Sequence, residues 1–103
     1  MSLPIRLLPD AKAEFDDAAN WYEQRQTGLG VKFVARIRTV LDRISNNPRM
    51  HGIVQDDVRK AVVTRFPYIV LYREEAGEVL IISVFHTSRD PAVWQARLDP
   101  GSG

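Results

Sequence analysis

Three short runs rich in β-branched and aromatic residues follow one another between Val58 and Trp94, and they restrict the fold more than any other feature. They are Ala61 to Phe66, Tyr68 to Tyr72, and Val79 to Phe85. Pro67 separates the first two runs, and a polar segment that contains Gly77 separates the last two. Apolar runs divided in this way are typical of successive hairpins. The sequence therefore predicts a three-stranded antiparallel meander.

The last of these runs is apolar on both of its faces. Side chains alternate along a strand, and the alternation divides this run into two sets. They are Leu80, Ile82, Val84 and His86 on one face, and Val79, Ile81 and Phe85 on the other. A strand that is apolar on both faces is covered on both, so we expect it to lie inside the sheet. The same alternation puts Arg59 and Arg65 on one face of the first run.

Apolar residues recur at helical spacing in two segments ahead of the strands, Ala11 to Gln26 and about Val31 to Asn46. We expect Gly28 and Gly30 to end the first helix and connect it to the second, so that the two segments form a helical hairpin. Trp21 lies off the centre of the first apolar stripe. It either flanks the core or offers contact surface, and we favour the core.

The two ends of the chain add one short element each. Pro4 to Leu8 is a short apolar run that predicts a first strand, while Asp90 and Pro91 favour the start of a short helix. The polar segment from Arg49 to Asp57 is typical of a loop, in which we expect His51 to be exposed.

Together these elements predict an α+β fold in a single domain over residues 1–103. In chain order it has an N-terminal strand, a helical hairpin, a three-stranded antiparallel meander and a short C-terminal helix. We expect the helices to lie against one face of the sheet. Residues 98–103 are expected to form a flexible tail.

The composition is that of an ordinary globular chain and excludes several kinds of site. Of the 103 residues, 45% are hydrophobic and 26% are charged, and the net charge is +1. With no cysteine and only two histidines, we expect no metal site, and we expect no cofactor. No apolar run approaches the roughly 20 residues of a membrane-spanning helix, and the N-terminus lacks the apolar segment of a signal peptide. The expected location is therefore the cytoplasm, without membrane contact.

Basic side chains collect along the predicted hairpins and the loop that leaves them. They are Arg59, Lys60, Arg65, Arg73 and Arg89. Because arginine suits bidentate recognition of phosphate or carboxylate, this set is the candidate surface for binding a target or a phosphate. Alternatively, Arg59 and Arg65 ion-pair with an acidic partner, or with Asp56, Asp57, Glu74 and Glu75 of the same chain. In the second helix Lys32, Arg36 and Arg43 form a basic stripe, for which a solvated face is favoured over a nucleic-acid footprint.

Several short motifs occur in a definite order along these elements. They are Trp21-Tyr22, Asn47-Pro48, Val58-Arg59, Phe66-Pro67-Tyr68 with Tyr72, and His86 leading to Arg89-Asp90-Pro91, Trp94 and Arg97. From Ile5 to Arg97 this order resembles the RelE/ParE superfamily of toxins, and its ParE-like, plasmid-stabilisation branch in particular. The resemblance implies a bacterial type II toxin that a co-expressed antitoxin protein neutralises.

The superfamily implies two alternative activities. ParE-like members poison DNA gyrase and are not known as enzymes, whereas RelE-like members cleave messenger RNA in the ribosome. RNA cleavage needs a general acid or base and cations at the phosphate, and His86 and Arg65 are the candidate catalytic residues. A histidine that ends an apolar strand is more often structural, and the set is thin for an RNase.

The favoured function is that of a ParE-like toxin, which inhibits growth by binding a macromolecular target such as DNA gyrase. Ribosome-dependent cleavage of messenger RNA is the alternative. A third possibility is a non-toxic relic that binds only its antitoxin or a nucleic acid.

Overall fold

The computed structural model describes residues 2–98, which form two long helices against a five-stranded sheet. In chain order the elements are β1 (Ile5–Leu7), α1 (Pro9–Arg25), α2 (Leu29–Asn46), β2 (Ile53–Gln55), β3 (Val58–Val62), β4 (Tyr68–Glu75), β5 (Glu78–His86) and α3 (Ala92–Gln95), followed by a 3-10 turn (Ala96–Leu98). The strand order in the sheet is β1-β5-β4-β3-β2. The predicted tail lies outside the described residues except for Leu98.

The predicted α+β architecture is confirmed, with one strand more than expected. Strands β3, β4 and β5 form the antiparallel meander, and β5 lies inside the sheet because β1 pairs with its other edge in parallel. The extra strand is β2, in the segment predicted to be a loop. It pairs with β3 through Ile53 and Arg59. So short a segment becomes a strand because β3 supplies its hydrogen bonds, and no local pattern marks it.

A β-bulge interrupts the pairing of β4 with β5. Leu71 pairs with Ser83, but Tyr72 pairs with Ile81, so Ile82 is an additional residue on β5. A bulge of this kind bends the strand and increases its twist.

The bulge exchanges the two faces along the second half of β5. Val84 packs with Ile81 in the core beneath the long helices, whereas Phe85 packs with Ile82 on the opposite face. The strict alternation predicted for this strand is therefore wrong beyond Ile82. His86 shares a face with Val84 but not with Ile82.

The two faces of the sheet pack against different helices. The larger core lies beneath α1 and α2 and contains Phe33, Ile37 and Tyr72, all fully buried. A smaller core on the opposite face joins Phe85 to Trp94 of α3. The expectation that the helices lie on one face holds for the two long helices, and α3 is the exception.

The turn between α1 and α2 is built around Gly28, which has a φ of 88°. This left-handed conformation favours glycine. Gly30 does not break the helix as predicted but lies buried inside α2, where a Cβ would be 2.5 Å from the carbonyl oxygen of Ala19. Glu23 closes the turn, since its carboxylate accepts hydrogen bonds from the N–H groups of Gly28 at 2.8 Å and Gly30 at 3.0 Å.

We expect the substitution Gly30→Ala to lower the free energy of unfolding by about 1 kcal/mol. Alanine gains about 1 kcal/mol over glycine inside a helix, but overpacking a close contact costs typically about 1–3 kcal/mol. The new Cβ would also lie 2.9 Å from the Cβ of Glu23. Urea unfolding measures the effect. Gly52→Ala is the matched control, since nothing lies within 4 Å of its Cβ position, and equal effects of the two substitutions would contradict the close helix contact.

Candidate functional site

An open cleft of about 570 Å³ lies between α1 and the C-terminal end of β5. We call it the α1–β5 cleft. Helix α1 contributes Glu14, Asp17, Ala18, Trp21 and Tyr22, and the sheet side contributes Pro67, Tyr68, Val84, His86, Ser88 and Arg89. The cleft depends on the bulge in β5, because the bulge places Val84 and His86 on the face that α1 covers.

His86 is held in one orientation at this cleft. Its Nδ1 accepts a hydrogen bond from the N–H of Ser88 at 3.1 Å, and the Ser88 hydroxyl oxygen lies 2.8 Å from the same atom. Since a backbone N–H can only donate, Nδ1 is the acceptor and the neutral ring carries its proton on Nε2. The ring of Tyr68 stands nearly perpendicular to it, with 5.1 Å between centroids. Within residues 2–98 no partner is described for Nε2, so its N–H can donate a hydrogen bond to a bound partner.

Glu14 connects three parts of the molecule at one wall of the cleft. Its carboxylate accepts hydrogen bonds from the Ser83 hydroxyl at 2.9 Å and from the N–H of Val84 at 3.3 Å. The Arg97 guanidinium donates two more, each 3.1 Å long, and a guanidinium nitrogen of Arg89 lies 3.6 Å away. The Glu14 side chain is 14% exposed and that of Arg97 is 22% exposed, so water screens this ion pair only partly.

We expect Glu14→Gln to lower the free energy of unfolding by about 2–3 kcal/mol. The amide cannot accept from all four donors, and it leaves the partly buried Arg97 charge with only the exposed Asp10 carboxylate, 3.5 Å away, as a counter-charge. The change is read from chemical unfolding. Asp16→Asn on the same helix is the control, because Asp16 pairs only with exposed Lys12 among the described residues, and we expect it to cost no more than about 0.5 kcal/mol. A loss for Glu14→Gln no larger than that of the control would contradict this role.

The other predicted site residues lie away from the cleft. Arg59 is on the helix-covered face of β3 and donates hydrogen bonds to the carbonyl oxygens of Arg49 at 3.4 Å and His51 at 2.6 Å. Lys60 and Arg73 lie on the opposite face of the sheet, as the pairing of β3 with β4 requires. The structure therefore brings only His86 and Arg89 of the predicted set together.

Arg65 is not on β3, as its predicted place in the first run requires, but in the turn that follows it. Its φ of 72° is left-handed, and the turn brings it beside α2. Within residues 2–98, neither Arg59 nor Arg65 forms an ion pair with Asp56, Asp57, Glu74 or Glu75, so this part of the alternative is wrong. Three of these carboxylates pair with other arginines instead: Glu74 with Arg49, and Asp57 and Glu75 with Arg73.

Trp21 is the functional candidate that the sequence reasoning assigned wrongly. It is 51% exposed at the cleft instead of lying in the core. The guanidinium of Arg25 stacks over its ring at 4.4 Å, and the Tyr22 ring packs edge-on beneath at 5.1 Å. Its position off the centre of the apolar stripe was the available signal. Periodicity alone does not decide whether a residue in this position lies in the core or in solvent.

The second histidine, His51, lies in the loop that precedes β2, and its carbonyl oxygen accepts the hydrogen bond from Arg59. It is partly buried, not exposed as expected, and among the described residues its buried Nε2 has no hydrogen-bond partner. Burial first, and then the charges of Arg43 and Arg59, lower the pKa of His51 below its usual 6.5. Nearby, the Tyr72 hydroxyl donates to the carbonyl oxygen of Pro48 at 2.6 Å, and burial raises the pKa of Tyr72 to about 12.

The lowered pKa of His51 predicts a loss of stability in mild acid. Between the folded pKa and 6.5 the unfolded chain binds more protons than the folded chain, so the free energy of unfolding falls as the pH drops below 6.5. We expect His51→Gln to flatten this dependence, and Arg43→Gln to weaken it in part. Thermal midpoints measured from neutral pH down to mild acid test this. The same slope in the wild type and in His51→Gln would assign the acid sensitivity to another group.

Comparison with known proteins places this fold in a family. Residues 5–91 match the family model described as the ParE toxin of the type II toxin-antitoxin system parDE. The chain therefore belongs to the ParE toxin family, as the order of its motifs predicted. A solved structure titled as a chromosomal ParDE toxin-antitoxin system from P. aeruginosa has the same fold, with a TM-score of 0.60 and 13% identity over 82% of this chain and 96% of that chain. No curated protein matches the sequence.

Two further properties of the described region bear on function. Neither long helix, nor any other within residues 2–98, has the length and apolar character needed to cross a membrane. In the same residues no three His, Asp or Glu side chains are grouped so that they could hold a metal ion.

Proposed function

We propose that this chain is a growth-inhibiting toxin that binds a macromolecular target such as DNA gyrase, and that a cognate antitoxin neutralises it. Membership of the ParE family supports the class. The observation that carries the mode of action is the separation of the predicted site residues. They occupy the cleft, both faces of the sheet and the turn after β3.

Cleavage of RNA needs an acid or base and several cations around one phosphate, with reacting atoms held about 3 Å apart. His86 has only Arg89 of the predicted cations beside it at the cleft, and that guanidinium already lies 3.6 Å from Glu14. Arg59 is occupied with two backbone carbonyls. This arrangement favours binding over catalysis.

The α1–β5 cleft has the composition of a protein contact surface. Exposed Trp21 stands at one side of it, and tryptophan is enriched among the residues that dominate binding energy at interfaces. Half-buried Tyr68 and the Nε2–H of His86 supply donors close to this apolar area. We place the contact with the target at this cleft.

The antitoxin is proposed on family membership and on the form of the sheet. Within residues 2–98, β2 is an outer strand of the sheet, and its Ile53 is 57% exposed and its Val54 43% exposed. An outer strand with apolar side chains accepts an added strand from another chain.

We expect growth inhibition to survive His86→Gln and to be lost in Trp21→Ala. If the toxin acts by contact, the histidine is one donor among several, whereas removal of an interface tryptophan costs about 2 kcal/mol or more. The Trp21→Ala protein should then need about tenfold or more toxin for half-maximal inhibition of gyrase supercoiling. Met50→Ala is the matched control, because Met50 is 54% exposed but does not line the cleft.

Pulse labelling after induced expression separates the possible functions. Gyrase poisoning stops DNA synthesis first, and co-expression of the antitoxin from a neighbouring reading frame should restore growth. If protein synthesis stops first and His86→Gln abolishes RNA cleavage, the enzyme alternative is correct. Normal growth of cells that express a folded, soluble wild-type chain would favour the relic.

A further inference from the structure

The outer side of β2 carries an exposed apolar patch. Seven large hydrophobic side chains are exposed within residues 2–98, and three of them, Met50, Ile53 and Val54, lie together here. In the same part of the chain no strand pairs with the far side of β2. We call residues 49–57 the edge segment, and none of them lines the α1–β5 cleft. Apolar side chains at the unpaired side of a strand favour the addition of another strand.

The pairing of β2 with β3 determines which backbone groups face this open side. The N–H of Lys60 donates to the carbonyl oxygen of Gly52 at 3.1 Å, whereas Ile53 lies opposite Arg59. Hydrogen-bonded and non-hydrogen-bonded residue pairs alternate along two antiparallel strands. Ile53 and Arg59 therefore form a non-hydrogen-bonded pair, and the N–H and C=O of Ile53 point away from β3. They are ready to pair with a further strand.

The two ends of the edge segment carry opposite charges. Arg49 precedes the apolar centre, and Asp56 and Asp57 follow it. Arg49 pairs with Glu74 and Asp57 with Arg73, but both ion pairs involve exposed side chains and contribute little. In an antiparallel contact between two identical segments, the basic end of each meets the acidic end of the other, whereas a parallel contact brings like charges together. The segment is thus self-complementary, as an interface about a two-fold axis requires.

We propose that two copies of this chain associate through their edge segments, antiparallel about a two-fold axis at Ile53. Each Ile53 then donates its N–H to the carbonyl oxygen of the other Ile53, as a hydrogen-bonded pair of an antiparallel sheet does. Val54 lies opposite Gly52 of the second copy, which has no side chain to obstruct it. The two five-stranded sheets become continuous. Because a two-fold contact is closed, association ends at two copies.

The backbone pairing across the axis is short, so the dimer is reversible. The register of β2 shifts between Ile53 and Gln55, and the carbonyl oxygen of His51 already accepts a hydrogen bond from Arg59. Small interfaces bind weakly, and we expect a dissociation constant of about 10 µM to 1 mM. The dimer involves this chain alone and does not depend on the proposed target. An antitoxin strand added to β2 would compete with the second copy.

Sedimentation of the full chain at about 1 µM to 1 mM tests the association. We expect the average mass to rise with concentration and to stop at that of two copies. Ile53→Lys should weaken association about tenfold or more, because it removes apolar contact and places two ammonium groups opposite each other. Val62→Lys is the matched control and should associate like the wild type, since Val62 is 64% exposed on β3 outside the edge segment. A wild-type chain that stays monomeric at the highest concentration, or equal losses for the two variants, would overturn the proposal.

Charge reversal tests the antiparallel arrangement. Arg49→Glu makes both ends of the edge segment acidic. The double variant Asp56→Asn/Asp57→Lys makes both ends basic, and asparagine tolerates the φ of 52° at position 56. Each variant alone should associate less than the wild type, while an equimolar mixture of the two should regain the dimer. Unchanged thermal midpoints would show that both variants fold.

A mixture that associates no better than its separate components would contradict the two-fold arrangement and overturn the proposal. Trp21 lies outside the edge segment, so Trp21→Ala should dimerise like the wild type even where it no longer inhibits growth. Failure of the dimer is in this way distinguishable from failure of the proposed target contact.

Discussion

The fold depends on how the edge of β5 is closed beyond the point where β1 ends. β1 pairs with β5 only as far as Ile81, and the next backbone groups would otherwise be unpaired at the base of the cleft. The Glu14 carboxylate accepts a hydrogen bond from the N–H of Val84, and Arg97 donates one to the carbonyl oxygen of Ile82 at 3.1 Å. Because Glu14 and Arg97 also bind each other, one ion pair replaces a missing strand and fastens α1 and the C-terminal turn to the sheet. Buried backbone groups are costly when unsatisfied, so this pair adds to the core packing of Ala11 and Ala18 in holding α1 against the sheet.

The bulge in β5 links that edge to the candidate site. By shifting the register at Ile82, it sends Phe85 to the small core with Trp94 and His86 to the cleft beside α1. The cleft is therefore a consequence of strand geometry, since Val84 and His86 come from the displaced half of β5 and Tyr68 from the neighbouring β4. Helix α1 forms one wall, and the ends of β4 and β5 with their adjoining turns form the other.

Two groups of basic residues have different surroundings in this structure. Arg59 and Arg97 donate to backbone carbonyl oxygens, and Arg97 also pairs with Glu14, so these two stabilise the fold. Lys32, Arg36 and Arg65 meet no carboxylate among the described residues. A nearly neutral chain can in this way keep a localised positive surface, because most of its acidic residues are committed elsewhere. The separation of these groups also supports the proposal of a contact site over phosphate chemistry.

The sequence by itself determined the two long helices, the meander, the position of β5 inside the sheet and the family, because periodicity and turn residues act locally. Only the tertiary structure decided the rest. β2 exists because β3 is there to pair with it, and the bulge at Ile82 arises from the match between two strands that no single-strand pattern encodes. Arg65 lies in the turn after β3 and not on the predicted strand, and Trp21 lies exposed at the cleft and not in the core. Glu14 carried no signal, since its partners lie about 70 residues further along the chain. Which charges meet is set by long-range packing, and alternation along one segment cannot contain that information.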